Sequence, residues 1–258
     1  MVLRLFAPCL ALFCICCSQP EQIKDADQPI AIAEAINEPV QVATVQRDYP
    51  IRYGVREGKI TYQYKGLQKG SEEVYFTDYG MVEVKYTSTT RENPFKKERE
   101  VINLITLMRD SLIFVVDRST MNARSIDNTL LYTSAEKSPT LDLGEAAEMM
   151  YLEKGGQLER IDTLLNLPAR YWNVESMQMK EWRWKGILLK TQVEVGREIM
   201  TLEAIEIDTL SPLPKGIFDL PEDVNIQEGM SVEEWIEALG KPIKKRQYFN
   251  FPDSLKRD

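Results

Sequence analysis

The chemistry-bearing residues that stand out in this sequence are its carboxylates and its thiols. Its 258 residues include no histidine. That removes the usual neutral-pH acid/base, every serine–histidine or cysteine–histidine nucleophile pair, and every histidine metal ligand. Aspartate and glutamate number 40 against 32 lysines and arginines, a net charge of −8. Carboxylates alone could supply a hydrolase pair or an oxygen-ligand cation site, but their spacing selects no two of them. Glu72 with Glu73, and Glu233 with Glu234, read as solvated pairs, and Asp25 and Asp27 fall in a polar stretch. Glycine-rich phosphate loops, nucleophile elbows and paired-cysteine motifs are absent from the folded part. The expectation is a chain with no catalytic residue, no metal and no cofactor.

The thiols point elsewhere. All four cysteines, Cys9, Cys14, Cys16 and Cys17, stand within the first seventeen residues. The folded part therefore holds no disulfide and no thiolate metal site. Arg4 followed by the apolar run 5–15 has the form of a secretory signal, too short to span a bilayer, which needs roughly 20 residues. Phe13, Cys14, Ile15, Cys16, Cys17 and Ser18 resemble a bacterial lipobox, in which a small residue precedes the cysteine that becomes lipidated. Cys17, preceded by the small Cys16, fits better than Cys16, preceded by branched Ile15. Residues 1–16 are read as a lipoprotein signal and residues 17–49 as a lipidated cysteine with a flexible acidic tether. Residues 50–258 are read as one folded domain. The membrane, through that lipid, is the first expected partner.

Behind the tether, the elements that must position any site read as β-structure. Ile60, Tyr62 and Tyr64 alternate with Lys59, Thr61 and Gln63, and Val82, Val84 and Tyr86 with Glu83, Lys85 and Thr87. Gly66, Gly70 and Gly80 read as turns between strands. Val101 to Met108 fits a helix face or a strand, and its β-branched residues favour strand. Leu112 to Val116 follows as another. Residues 141–154 read as the longest helix, ended by Gly155 and Gly156. From Tyr171 to Ile207 the chain reads as consecutive strands with a turn at Gly196. Short helices are expected at 30–37 and from Ser231 to Gly240. The basic residues Lys96 and Lys97 read as loop charge. Lys241, Lys244, Lys245 and Arg246 read as a solvated tail or as contacts to anionic lipid. The acidic balance argues against a nucleic-acid partner. The fold class is α+β, one domain dominated by an antiparallel sheet.

Aromatic residues mark the expected binding surface. Trp182, Trp184 and Leu188 are read on one face of a single strand, with Arg183, Lys185, Ile187 and Leu189 on the other. Tyr62, Tyr64 and Phe114 lie on apolar faces of other strands. Together Tyr62, Tyr64, Phe114, Trp182 and Trp184 are expected either to line an apolar cavity or to fill a core.

Three segments carry a family resemblance: residues 73–80 (EVYFTDYG), 182–190 (WRWKGILLK) and 214–221 (PKGIFDLP). They resemble uncharacterised envelope proteins related to the LolA/LolB-like lipoprotein-sorting carriers of Gram-negative bacteria. The resemblance implies a half-open antiparallel β-barrel, a curved sheet with helices packed in or over its concave face, whose cavity takes acyl chains, and a place in the envelope, at the outer membrane facing the periplasm. Three functions stay open: a lipid-anchored protein binding a lipid or lipoprotein acyl chain; an interaction or sensor protein with the same fold and a filled core, whose protein partner the sequence does not name; and a hydrolase using carboxylates alone. The anchor has a direct test. Replacing Cys17 with alanine should abolish acyl labelling and move the protein into the soluble fraction on cell fractionation. Unchanged labelling would shift the site to Cys16.

Overall fold

The computed structural model describes residues 50–92, 99–109, 111–129, 142–196 and 198–230, all within the compact unit Asp48–Ile243. Cys16, Cys17, the tether, the helices expected at 30–37 and from Ser231, and the basic residues Lys96, Lys97 and 241–246 lie outside the described residues.

Twelve strands form one sheet: β1 (Gly58–Lys65), β2 (Gln68–Thr77), β3 (Val82–Glu92), β4 (Arg99–Arg109), β5 (Leu112–Asp117), β6 (Asn122–Asp127), β7 (Gln157–Leu164), β8 (Leu167–Val174), β9 (Met179–Trp184), β10 (Ile187–Val195), β11 (Glu198–Asp208) and β12 (Asn225–Met230). One helix among the described residues, α1 (Leu143–Glu153), interrupts them after β6. The strand order is β12-β6-β5-β4-β3-β2-β1-β11-β10-β9-β8-β7. The sheet is curved and unclosed, and every pairing is antiparallel except β12 with β6. This is the half-open barrel with a helix that the family resemblance implied, built from the strands that the alternation marked. No described helix is long and apolar enough to cross a membrane.

Val101 and its neighbours are strand, as β-branching favours. The helix starts two residues later than residue 141, because Asp142 caps it. Its carboxylate accepts the backbone N–H groups of Gly144 and Glu145 at 2.9 and 3.0 Å. Gly70 is not a turn. It sits inside β2, where a Cβ would lie 2.3 Å from the Ser88 carbonyl oxygen of β3.

The larger correction concerns residues 182–189, which are not one strand. Lys185 and Gly186, at φ 48° and 78°, form a two-residue turn that reverses β9 into β10. Adjacent positive φ values are what the right-handed twist of a tight hairpin demands. Leu188 therefore belongs to the next strand, opposite Arg183, and a bulge follows before Lys190 meets Trp182.

Register assigns the faces. Tyr64, Leu202, Thr191, Glu181 and Trp172 lie directly opposite one another across β1, β11, β10, β9 and β8. Helix α1 covers this face, with Tyr151 packed edge-on against Trp172 at 5.7 Å. The same face runs the other way through Tyr62, Glu72, Thr87, Leu104, Asp117 and Asn122. The opposite face carries a second core over β2 to β6. There Tyr75, Val84, Leu107, Phe114 and Val116 are covered by Leu213, Ile217, Phe218 and Leu220 of the segment after β11.

Three chain segments meet at the β9–β10 turn. The Leu143 N–H reaches the Ile51 carbonyl at 2.8 Å, and the Gly54 N–H reaches the Lys185 carbonyl at 2.8 Å. A Cβ on Gly186 would lie 2.2 Å from the Arg52 carbonyl oxygen. Gly186→Ala should therefore lower unfolding stability by at least about 2 kcal/mol, from left-handed backbone cost plus the clash. Urea denaturation followed by tryptophan fluorescence measures it. An unchanged midpoint would mean that this junction is loose.

Candidate functional site

The helix-bearing face is built around two buried carboxylates with matching surroundings. Glu83, only 1% exposed, accepts a short hydrogen bond from the Tyr53 hydroxyl and faces Arg52 at 3.6 Å and Lys85 at 3.2 Å. Arg52 also donates to the Gly80 carbonyl at 2.9 Å. Glu181 accepts a short bond from the Tyr151 hydroxyl of α1 and a 2.8 Å bond from the Arg183 Nε. Arg183 in turn donates to the Gly186 carbonyl at 3.0 Å. Each carboxylate thus has a tyrosine from a covering segment and an arginine that braces a glycine turn. The Tyr53 ring is placed by contact with Gly80, where a Cβ would lie 2.4 Å from the ring.

The electrostatics follow. Burial pushes the Glu83 carboxyl up, but Arg52, Lys85 and the Tyr53 hydroxyl together outweigh it and hold it below its ordinary value of 4.5. Burial raises Tyr53 and Tyr151 far above the usual phenol range, so both remain donors. Burial also raises Glu148 on α1, against the pull of Arg170 at 2.8 Å.

The five aromatic residues expected to line one cavity do not do so. Tyr62 and Tyr64 are on the helix-bearing face, 5% and 4% exposed. Their hydroxyls are used internally: Tyr62 donates to the Leu188 carbonyl at 2.7 Å and Tyr64 to Glu72 at 3.2 Å, with Thr87 also donating to Glu72 at 2.8 Å. Trp182 adjoins Glu181 and so projects to the opposite face. There it packs on Tyr171 at 4.7 Å and donates its indole N–H to Asp162 at 2.7 Å. Tyr62, Tyr64 and Trp182 still belong to one contiguous buried cluster, which includes Leu189 at the β10 bulge, so all three are core. The Arg160 guanidinium lies 3.9 Å from the Tyr171 ring centroid, and the Lys190 ammonium 5.3 Å from that of Trp182. Trp184 is half-buried with the Lys185 ammonium 5.1 Å from its ring. Phe114 belongs to the second core on the opposite face.

An open cavity does exist on the helix-bearing face, over β4 to β6. It measures about 400 Å³ and is lined by Leu104, Val115, Asp117, Thr120, Asn122, Arg124 and Ile126. Leu104, Val115 and Ile126 are its apolar lining and the other four its polar lining, interleaved by register: Leu104, Asp117 and Asn122 in one row, Val115 and Arg124 in the next. Sequence reasoning missed it because its residues are aliphatic or polar, and aromatic residues were the marker. The available signal was the strand of Leu112 to Val116 together with a β6 that was not recognised. Among the described residues, no group of three acidic side chains is placed to hold a metal ion.

No family model matches the chain, and no curated protein matches its sequence. Solved structures resemble it at low identity. An uncharacterised conserved protein from Thermus thermophilus is 14% identical over 67% of this chain and 90% of its own, with a TM-score of 0.41. LprF from Mycobacterium bovis is 8% identical over 64% and 90%, with a TM-score of 0.32. A putative outer membrane lipoprotein-sorting protein domain from Vibrio parahaemolyticus is 9% identical over 65% and 92%, with a TM-score of 0.27. At these scores the likeness assigns no function. The site has to be judged on its own chemistry.

The Glu83 cluster predicts an acid response. Its folded pKa is depressed, so the stability it contributes is full above about pH 4.5 and is lost as pH falls through the lower folded value. Glu148, raised by burial, works in the opposite direction. Comparing wild type with Glu83→Gln isolates the first effect. The wild-type melting temperature should drop more steeply below pH 4.5 than that of the variant. Parallel profiles would remove Glu83 from the account.

Proposed function

We propose that this chain is a lipid-anchored protein of the Gram-negative envelope that binds an apolar ligand, a lipid or a lipoprotein acyl chain, in the cavity over β4 to β6. The cavity carries the reading. Its volume of about 400 Å³ is within the roughly 300–1,000 Å³ of ligand sites, and its apolar lining is on the face of the sheet that also carries α1. The anchor at Cys17 would hold the domain at the outer membrane, facing the periplasm, with the tether giving reach to a lipid surface. It is proposed to bind rather than to react. Glu83 and Glu181 are each occupied by cations and phenols, and Glu72 by two hydroxyls. The ligand site differs from the one the aromatic residues suggested, since Tyr62 and Tyr64 are core.

That same filling favours a second reading, an interaction or sensor protein with no ligand. Delipidated protein separates the two. Native mass spectrometry of the purified chain with a long-chain fatty acid should show saturable one-to-one binding. Val115→Trp, which places an indole in the cavity, should weaken it at least about tenfold, or 1.4 kcal/mol. No saturable binding by the wild type would leave the interaction protein.

A further inference from the structure

The polar lining of the cavity has a definite charge pattern. Asp117 lies opposite Asn122, and Arg124 opposite Val115, in the β5–β6 pairing. Asp117 and Arg124 are therefore diagonal neighbours on one face, about 7–8 Å apart. They form no ion pair with each other, and among the described residues Arg124 has no carboxylate partner. Asp117 uses one oxygen, Oδ1, to accept the Ser119 N–H at 2.7 Å, which orients the carboxylate at the end of β5. One guanidinium and one oriented carboxylate thus stand beside the apolar residues Leu104, Val115 and Ile126, with Thr120 and Asn122 in the same lining.

From this juxtaposition we propose that the cavity selects an amphiphile with a zwitterionic head, a phosphate joined to an ammonium through a short link. The phosphate meets the two-pronged Arg124 guanidinium, whose geometry suits a bidentate oxyanion. The ammonium meets Asp117. The acyl chain lies on Leu104, Val115 and Ile126. A purely anionic head would bring negative charge beside Asp117, in a chain whose net charge is already −8. A neutral head would leave both charges unmatched. The inference rests on the ligand-binding reading and adds the headgroup class to it.

Calorimetric titration of the delipidated full chain tests it, with three probes of equal acyl length kept below micelle formation: lysophosphatidylethanolamine, lysophosphatidylglycerol and a monoacylglycerol. The zwitterionic probe should bind at least about tenfold tighter than either other. Arg124→Gln should weaken it about tenfold while leaving the monoacylglycerol unchanged, which also shows that the variant is folded. Asp117→Asn should weaken the zwitterionic probe and narrow its advantage over the anionic one. Equal binding of all three probes by the wild type overturns the headgroup inference and leaves the apolar site intact. Binding of none overturns both.

Discussion

A carboxylate withdrawn from water costs several kcal/mol unless cations and donors replace its hydration. This chain accepts that cost at Glu83 and again at Glu181, and the rest of the covered face is arranged around the replacement. Each glutamate obliges a tyrosine from outside the sheet to approach: Tyr53 from the segment before β1, and Tyr151 from α1. Each brings an arginine whose second bond stiffens a glycine turn, Gly80 or Gly186. Apolar burial alone would hold a helix on a sheet without choosing its position. Directional bonds to a buried charge do choose, because a helix shifted by one turn would leave Glu181 without its phenol donor.

Among the described residues, the consequence is an uneven covering of the sheet. The two carboxylates sit on β3 and β9, and the covering tyrosines of the segment before β1 and of α1 are drawn to them. Among the described residues, no such cluster stands on β4 to β6. There the facing residues are Leu104, Val115 and Ile126, with Asp117 and Arg124 not paired to each other in the same lining. The cavity is thus the remainder left by where the buried charges are. The opposite face shows the same economy. It is covered by the segment from Leu213 to Val224 where Tyr75, Leu107 and Phe114 need it. Elsewhere it is laced by ion pairs such as Lys65 with Glu203 and Lys59 with Glu73. At the sheet edge, Arg160 and Asp162 on β7, and the bulge beside Arg160, discourage further pairing.

Much of the sheet was legible in sequence because period-two alternation reports half-burial directly. Residues 59–64 and 82–87 read as strands in the right places for that reason, and 112–116 as an apolar run after the polar pair Arg109-Asp110. What failed was parity. A turn at Lys185-Gly186 and a bulge after Leu188 each reset which side a residue faces, and neither changes local composition much. Trp182 and Tyr62 were therefore assigned to one surface although register sets them on opposite faces. β6 was missed because Asn122, Arg124 and Asp127 resemble a loop, and β7 because Glu159, Arg160 and Asp162 do. The buried glutamates were hidden by a sound prior, since a glutamate in an alternating strand is usually the solvent-facing member. Here Val84 and Glu83 are both buried, one on each face.

That reversal also accounts for why the candidate site eluded a search for aromatic residues. Large rings are valuable where a protein must fill space with its own atoms, and this chain places Tyr53, Tyr62, Tyr64, Phe76 and Trp172 in such positions. A surface that is to receive a flexible chain from elsewhere needs the opposite: smaller aliphatic side chains that leave room, and polar groups whose partners are missing. Leu104, Val115 and Ile126 meet the first requirement, and Arg124 the second. In a sequence such residues look like an ordinary amphipathic strand beside a polar loop. Only register, which brings Arg124 opposite Val115 and next to Asp117 on one face, brings them together as a candidate site.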